Sequence, residues 1–223
     1  MKEFDFEQGS PEWFAARCGK PTASEFKRLL TNTVGDDGKY AISKSLPKYA
    51  AKLAAELYAG KPMESFDGNA WLERGRDMEE AAAEWYAFTQ DAELRKVGFV
   101  TDDAGVVGCS PDRLIDPDGG LEIKCLRAEN HVEMTQYHAK HGRAEPKYTQ
   151  QVQACLWITK RAWWDQIFYS PELPPLVIRQ VPDLVMHASF GSAIAACILE
   201  RDANLATLRG ETRAAGDIDE PVE

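Results

Sequence analysis

The chain has 223 residues, of which 44% are hydrophobic and 28% charged, the composition of a globular protein with a sizeable core. Its formal net charge of −10 argues against a protein that coats nucleic acid without specificity. The five cysteines are scattered and lack a C-x-x-C pair, so we expect no disulfide framework, zinc ribbon or cysteine-ligated cluster. The first residues do not resemble a signal peptide, and no run reaches the ~18 apolar residues of a membrane span. We therefore expect a reduced, cytoplasmic protein.

The negative charge is unevenly distributed along the chain. From Glu64 to Glu93, nine acids stand against two bases, and from Glu211 to Glu223, five acids stand against one base. The rest of the chain is therefore about neutral, and Arg17–Arg28 within it carries four bases against one acid. A local basic surface is possible on such a protein, so net charge alone does not exclude DNA as a ligand.

Hydrophobic periodicity and turn residues divide the chain into helices and strands. In chain order the pattern predicts an exposed loop over 31–39, helices over 43–58 and 68–89, strands over 94–100, 105–110 and 120–126, a helix from Pro146 to Thr159, strands over 164–169 and 176–181, and a helix over 185–208 that ends before Gly210. This order indicates one α/β domain over 1–210 with a central mixed sheet flanked by helices. The acidic residues 211–223 are expected to form a disordered tail.

The segments that carry chemistry are Gly108–Asp112 and Leu121–Cys125. Because side chains alternate along a strand, Glu122 and Lys124 point to one side, while their apolar neighbours can enter the core. A hairpin can bring Asp112 within a few ångströms of Glu122. Two close carboxylates repel each other unless a cation lies between them, and Mg²⁺ prefers oxygen ligands. With a lysine beside the metal to orient or deprotonate water, the pattern predicts a phosphodiester-cleaving site.

Three further polar residues are candidates for the same site. Glu79 lies beside the apolar stripe of its predicted helix, and Gln151 lies on the apolar side of a later one. A polar group on a buried face normally needs a partner. Gln151 could equally be a hydrogen-bonded core amide, and Asp102 could be a turn residue. An isolated E-x-K pair is more often a solvated ion pair, so the S-P-D segment upstream is what favours a site.

The chain resembles the viral recombinase exonucleases typified by phage lambda exonuclease, the YqaJ family. The resemblance covers four blocks that span nearly the whole chain: Trp13–Arg17 with Thr22–Glu25, Gly75–Glu79, Cys109–Asp112 with Leu121–Cys125, and Gln151–Gln153 with Trp157–Thr159. The third block is shared by many nucleases of the PD-(D/E)-x-K class, whereas all four in this order are far more specific. The resemblance implies a restriction-endonuclease-like core.

The resemblance also implies roles for individual residues. In the cleavage site it implies metal ligation by Asp112, Glu122 and the Ile123 carbonyl, water activation by Lys124, completion of the site by Glu79 and Gln151, and a further acid near the metals at Asp102. At the DNA end it implies that the 5′-phosphate is held by Arg17, Ser24 and Ser110, and that Leu72 can part the strands. Where the family often has an arginine after the E-x-K block, this chain has Asn130, which leaves Arg127 as the nearest candidate.

The resemblance implies a Mg²⁺-dependent 5′→3′ exonuclease acting on double-stranded DNA ends, with two ions and with Mn²⁺ as a substitute. It implies a homotrimer around the DNA and recombination together with a single-strand annealing protein. Two alternatives remain open: an endonuclease of the same fold, and a DNA-end-binding module without catalysis. The 5′-phosphate residues favour the exonuclease, since an internal cutter has no end to hold, and the intact catalytic acids and lysine argue against the inactive module.

Overall fold

The computed structural model describes residues 1–63 and 69–211, and the side chains of these residues except 69–77. Within these ranges the elements in chain order are β1 (Lys2–Phe4), α1 (Pro11–Arg17), a 3-10 helix (Ala23–Arg28), β2 (Leu30–Val34), β3 (Tyr40–Ile42), α2 (Leu46–Ala59), α3 (Asn69–Gln90), β4 (Phe99–Thr101), β5 (Gly108–Cys109), β6 (Arg113–Ile115), β7 (Gly119–Cys125), α4 (Ala128–His141), α5 (Pro146–Thr159), β8 (Trp163–Tyr169), β9 (Leu176–Gln180) and α6 (Leu184–Leu208).

The predicted mixed sheet is present and has four strands in the order β6-β7-β8-β9. β7 and β8 run parallel, and the other neighbouring pairs are antiparallel. The connection from β7 to β8 is made by α4 and α5, as parallel strands require a crossover. The predicted α/β class with a mixed sheet is therefore confirmed. The other described strands form a three-stranded sheet, β1-β4-β5, and a β2-β3 hairpin rather than joining the central sheet.

Apolar side chains pack on both faces of this sheet. On one face, Ala82, Ala83 and Tyr86 of α3 pack with Leu121 and Ile123 of β7. On the other face a larger cluster joins the sheet to α5, α6, α2 and the 3-10 helix; its members include Leu114, Trp164, Val152, Cys155, Phe190 and Phe26. Because α3 and α5 cover opposite faces, side chains from both helices can reach the edge of β7.

Two predicted strands are shorter in the structure than in the sequence prediction. The strand expected over 94–100 is confined to Phe99–Thr101, because the chain bends at Gly98 to pass close to β1. A Cβ on Gly98 would lie 1.9 Å from the main-chain oxygen of Phe6, so only glycine permits this approach. The strand expected over 105–110 is confined to Gly108–Cys109, since the residues before it form a turn.

The sequence prediction missed several elements. The expected loop over 31–39 contains most of the β2-β3 hairpin, whose strands are largely exposed and therefore lack a clear alternating pattern. The short strands β1 and β6 and the seven-residue helix α1 were not predicted. α4 was not predicted because it is mostly polar, with only His131 and Met134 buried.

α6 lies on the core with one face. By length and composition it could cross a membrane, a test that core helices of globular proteins also pass. Phe190, Ala193 and Cys197 are fully buried on its inner face, whereas Leu184 and Leu199 are exposed. Beyond Glu211, the predicted acidic tail lies outside the described residues.

Candidate active site

The pairing of β6 with β7 sets the two acids of the predicted site side by side. Arg113 is opposite Leu121 in this antiparallel pair, so Asp112 falls next to Glu122. The main-chain N–H of Ile123 donates to Asp112 Oδ2 at 2.5 Å. Glu122 is almost completely buried, with 1% of its side chain exposed. The hairpin predicted from the sequence therefore brings both carboxylates to one place.

Two side chains hold the buried carboxylate of Glu122. Lys124 Nζ donates to Glu122 Oε1 at 2.6 Å, and Gln151 Nε2 donates to the same oxygen at 2.5 Å. Lys124 follows Glu122 by two positions on β7, and Gln151 comes from α5 on the covering face. The other oxygen, Glu122 Oε2, is buried and has no hydrogen-bond partner among the described residues. This oxygen is therefore an acceptor that a water or a cation in the site could satisfy.

Burial and crowding of like charges change the proton affinities of the acids. Burial, together with the neighbouring Glu122 and Glu79 carboxylates, raises the pKa of Asp112 well above its usual value. Burial and Glu122 also raise the pKa of Glu79, although Arg113 opposes the shift. Burial by itself would lower the pKa of Lys124, but Glu122 and Asp112 outweigh it and raise that pKa. The lysine is therefore held as a cation between two acids.

These residues fit a hard divalent cation. Asp112 and Glu122 repel each other, Glu122 Oε2 lacks a partner, and the two acids flank the Ile123 main chain. Within the described ranges, no three His, Cys, Asp or Glu side chains are grouped closely enough to hold a metal by themselves. Mg²⁺ commonly binds through one or two carboxylates and completes its shell with water and substrate phosphate. The donor set therefore suits Mg²⁺ better than a metal that needs an all-protein cage.

A small cavity of about 160 Å³ joins the acids to the predicted phosphate-binding residues. Its walls are formed by Arg17, Ala23, Ser24, Ser110, Asp112, Glu122, Lys124, Gln151 and Cys155. Arg17 lies at the end of α1, Ser24 on the 3-10 helix, and Ser110 directly before the Asp112 turn. Three separate segments thus bring a guanidinium and two hydroxyl groups into one cavity with Asp112, Glu122 and Lys124.

Trp13 fixes the geometry of the end of the cavity that contains Arg17 and Ser110. Its Nε1 donates to Ser110 Oγ at 2.9 Å and to the Gly98 carbonyl oxygen at 3.0 Å. Arg17 lies over the Trp13 ring, with Cζ 4.1 Å from the ring centroid, and donates to Ser110 Oγ at 3.1 Å. Stacking and a shared hydroxyl therefore orient the guanidinium. The sequence identifies Trp13 only as part of a motif and indicates no role for it.

The structure places two other candidates, Asp102 and Arg127, away from this cavity. Asp102 uses its carboxylate to accept the N–H groups of Val106 and Val107, so it shapes the turn before β5. Arg127 lies at the N-cap of α4 and lines a different cavity, of about 500 Å³, on the far side of Cys125. Leu72 lies in the part of α3 whose side chains fall outside the described residues.

Glu79 approaches the site from another direction. It lines a cavity of about 490 Å³ that also includes Asp112, so Asp112 lies between the two cavities. Its Oε1 lies 3.4 Å from Nη1 of Arg113, a residue that the sequence analysis did not single out. Arg113 directly follows the S-P-D segment and precedes the apolar residues Leu114 and Ile115. A charged side chain in such a short apolar strand is a sequence signal for a buried ion pair.

Comparison with known proteins identifies one family and several solved structures that resemble this chain. Residues 12–162 match the YqaJ-like viral recombinase domain. LHK-Exo, an alkaline exonuclease from Laribacter hongkongensis, is 28% identical in its complex with dAMP, with a TM-score of 0.75 over 91% of this chain and 97% of that chain. A phage related exonuclease from Haemophilus somnus 129PT has the same fold at 14% identity, with a TM-score of 0.64 over 85% of this chain and 96% of that chain. No curated protein sequence matches the chain.

The fold and the four motif blocks thus define one class of proteins, α/β proteins with the fold of the alkaline exonucleases. The matched domain covers well over half of the chain, and the chain belongs to the YqaJ-like viral recombinase family.

Proposed function

We propose that this protein is a metal-dependent exonuclease that digests the 5′-ended strand of double-stranded DNA. The observation that carries the proposal is the single small cavity lined both by the hydrolytic residues and by Arg17, Ser24 and Ser110. Such a cavity suits a terminal phosphate, which is compact and doubly charged, better than a strand that continues in both directions. The solved complex of LHK-Exo with dAMP, a deoxynucleoside monophosphate, is consistent with this assignment.

Asp112 and Glu122, with the Ile123 carbonyl, would hold Mg²⁺ or Mn²⁺, and the proposal takes two ions per site, with water and phosphate as their other ligands. When bound, the metal polarises the scissile phosphate and lowers the pKa of a coordinated water. The protein residues would orient the carboxylate ligand and the attacking water. Gln151 and Lys124 orient the Glu122 carboxylate, and Lys124, held beside it, would position the attacking water.

Arg17 supplies the charge that recognises the end of the DNA. A guanidinium offers a planar fork of donors that matches phosphate oxygens. Ser110 Oγ already accepts from both Trp13 and Arg17, so its own proton is available for a phosphate oxygen. With the 5′-phosphate fixed in this way, the next phosphodiester would reach the acids that line the same cavity, and cleavage would release one nucleotide at a time.

The wider setting follows from the family. We propose a homotrimer that encloses the duplex, processive digestion, and a 3′ single strand that passes to an annealing protein in phage or prophage recombination. The cytoplasm of a bacterial or phage-infected cell suits such an enzyme, in keeping with five free cysteines.

The decisive experiment compares linear and covalently closed circular duplex in the presence of Mg²⁺. The proposal expects the linear duplex to release a 5′ label as a mononucleotide at once and to retain a 3′ label on the other strand. Digestion of the closed circle at a similar rate would favour the endonuclease. Binding of ends without any digestion in Mg²⁺ or Mn²⁺ would favour the inactive end-binding module.

A further inference from the structure

Arg113 is a buried charged residue directly beside the candidate active site. It is the first residue of β6, immediately after Asp112, and only 6% of its side chain is exposed. A buried guanidinium is costly unless its donors are paired with acceptors of opposite charge. Its partners therefore indicate what it does.

The guanidinium joins the Asp112 turn to α3. Nη1 donates to the main-chain oxygen of Asp112 at 2.5 Å and lies 3.4 Å from Glu79 Oε1. Nη2 donates to Glu80 Oε2 at 2.6 Å. One planar group thus fixes the main chain of the metal-binding turn and two consecutive glutamates of a helix.

The two glutamates differ in where they lie. Glu80 is 49% exposed and also pairs with Lys96 at 3.0 Å, on the outer side of the cluster. Glu79 is less exposed, at 36%, and its electrostatic neighbours include Glu122 and Lys124. Arg113 is therefore shared between an outer ion pair and an acid that faces the cleavage site.

We propose that Arg113 is a positioning residue that fixes Glu79 relative to the Asp112–Glu122 pair and so joins α3 to the cleavage site. This inference rests on the proposed function, because it assigns a purpose to Glu79 in cleavage. Among the described residues Arg113 contacts Oε1 of Glu79 at 3.4 Å, which orients the carboxylate, and Oε2 is the oxygen that would take a water at the cleavage site. Glu80 anchors the other side of the guanidinium, so the geometry does not depend on Glu79 alone.

Arginine suits this role better than lysine. A planar fork reaches three acceptors in fixed directions, whereas a single ammonium group cannot satisfy them together. Arg113→Lys keeps the charge and removes the fork, and Arg113→Gln serves as a second variant of similar length should the lysine variant fold poorly. Misplacing a catalytic group by about 1 Å can cost about 100-fold in rate, so we expect kcat to fall by about 10- to 100-fold with KM for a 5′-phosphorylated duplex within about twofold.

The test is a double-mutant cycle with a matched control. Arg113→Lys combined with Glu79→Gln should lose little more activity than Glu79→Gln alone, since both changes disable the same carboxylate. Arg113→Lys combined with Glu80→Gln should show a weaker coupling in kcat than the pair with Glu79→Gln, even though Glu80 contacts the same guanidinium more closely. The same cycle is measured on Ca²⁺ binding by calorimetry, where Arg113 and Glu79 should again be non-additive and Glu80→Gln should have little effect.

A role confined to structure would give a different result. Replacing Arg113 would then lower the melting temperature, and its effects on kcat and on Ca²⁺ binding would be independent of Glu79. That outcome would overturn the proposal, and so would a coupling to Glu80 as strong as the coupling to Glu79. A wild-type protein that binds Ca²⁺ without digesting linear duplex contradicts the proposed function but leaves the calorimetric cycle to decide on Arg113. A wild-type protein that neither binds Ca²⁺ nor cleaves DNA overturns both.

Discussion

Single residues at this site are held in states that the isolated side chains would not adopt. Asp112 is half-buried beside two other carboxylates, and Lys124 is held between two acids. Such arrangements cost stability in the metal-free protein and are characteristic of functional sites. The effect of each residue on the stability of the metal-free protein can therefore be measured separately from its effect on the cleavage rate.

The first prediction concerns Asp112 and pH in the absence of metal. Because its folded-state pKa is raised, the folded protein holds a proton that the unfolded chain releases at about pH 4. Stability contributed by this group is therefore complete below that pH and is lost as pH rises through the folded pKa. Asp112→Asn should remove this pH-dependent loss of stability, so the variant should have a higher melting temperature than the wild type at pH 8. For a chain of this size, each 1 kcal/mol of unfolding free energy shifts the melting temperature by about 2–4 °C.

The measurement is thermal unfolding in EDTA from pH 4 to pH 8. The two proteins should converge at the acidic end, and the variant should be inactive with Mg²⁺. An equal difference in melting temperature at every pH would contradict the assignment of the raised pKa to Asp112.

The second prediction separates turnover from binding at Lys124. If Lys124 positions the attacking water, Lys124→Ala should lower the cleavage rate by about 100- to 10,000-fold. Binding of DNA ends in Ca²⁺, which fills oxygen sites without supporting turnover, should remain close to that of the wild type. Lys48→Ala, at an exposed lysine of α2, is the control and should change neither quantity. Equal losses of binding and rate would identify Lys124 as a phosphate clamp instead.

Among the elements, α1 shows how a short helix can position a functional group. Ser10 caps its first turn by accepting the N–H of Trp13, and Pro11 occupies a first-turn position. The helix has seven residues, too few to be stable alone, so its contacts with Gly98 and Ser110 hold it in place. Arg17 at its last position is thereby directed into the cavity.

The third prediction concerns recognition of the DNA end by these elements. Wild-type protein should digest a 5′-phosphorylated duplex faster than a 5′-hydroxyl duplex. Arg17→Ala should reduce that ratio by about 10- to 100-fold, the value of a charge-assisted hydrogen bond of about 1.5–3 kcal/mol. Trp13→Leu, which removes the stacking surface, should reduce it by about 3- to 10-fold, and Trp13→Phe should have a smaller effect.

Arg127→Ala is the matched control for this series. Arg127 lines a cavity separate from that of Arg17, so its removal should leave the ratio of the two rates unchanged. A large fall in the ratio with Arg127→Ala would place Arg127 at the 5′-phosphate after all. The absence of any preference in the wild type would contradict the phosphate site itself.

At the scale of the whole molecule, the question is how so acidic a protein holds DNA. Affinity for duplex depends on neutralised phosphates and falls steeply with salt, and a net charge of −10 opposes it. A closed ring with rotational symmetry would gather three copies of a modest basic surface around one duplex. Enclosure would then replace affinity as the means of staying attached.

The fourth prediction is therefore a homotrimer of roughly three times 24.9 kDa in solution. Light scattering coupled to gel filtration measures the mass, and single-molecule or trap-based digestion measures processivity at increasing salt. Processivity should survive moderate salt even though binding of new ends weakens. A stable monomer or dimer under conditions of processive digestion would exclude the ring.

The sequence by itself determined the local part of the site and the longer elements. The alternation of β7 and the turn before it predict the Asp112–Glu122–Lys124 grouping, because a hairpin and a strand are set by neighbours along the chain. The helical period likewise predicts α3 and α6 almost to their ends, since their buried faces repeat over many turns. Short strands with two or three residues and the polar helix α4 carry no such repeat.

Only the tertiary structure decided which distant residues meet at the site. The hydroxyl of Ser110 lies 97 positions from Trp13 and 93 from Arg17, and no periodicity along the chain links them, although the family resemblance implies that Arg17 and Ser110 hold the same phosphate. Arg113 likewise pairs with Glu80 and Glu79, which lie 33 and 34 positions earlier in the chain. These contacts depend on how α3 packs on β7. Burial then changes the chemistry, because the same carboxylate that would be an ordinary acid in a loop acquires a raised pKa once its neighbours exclude water.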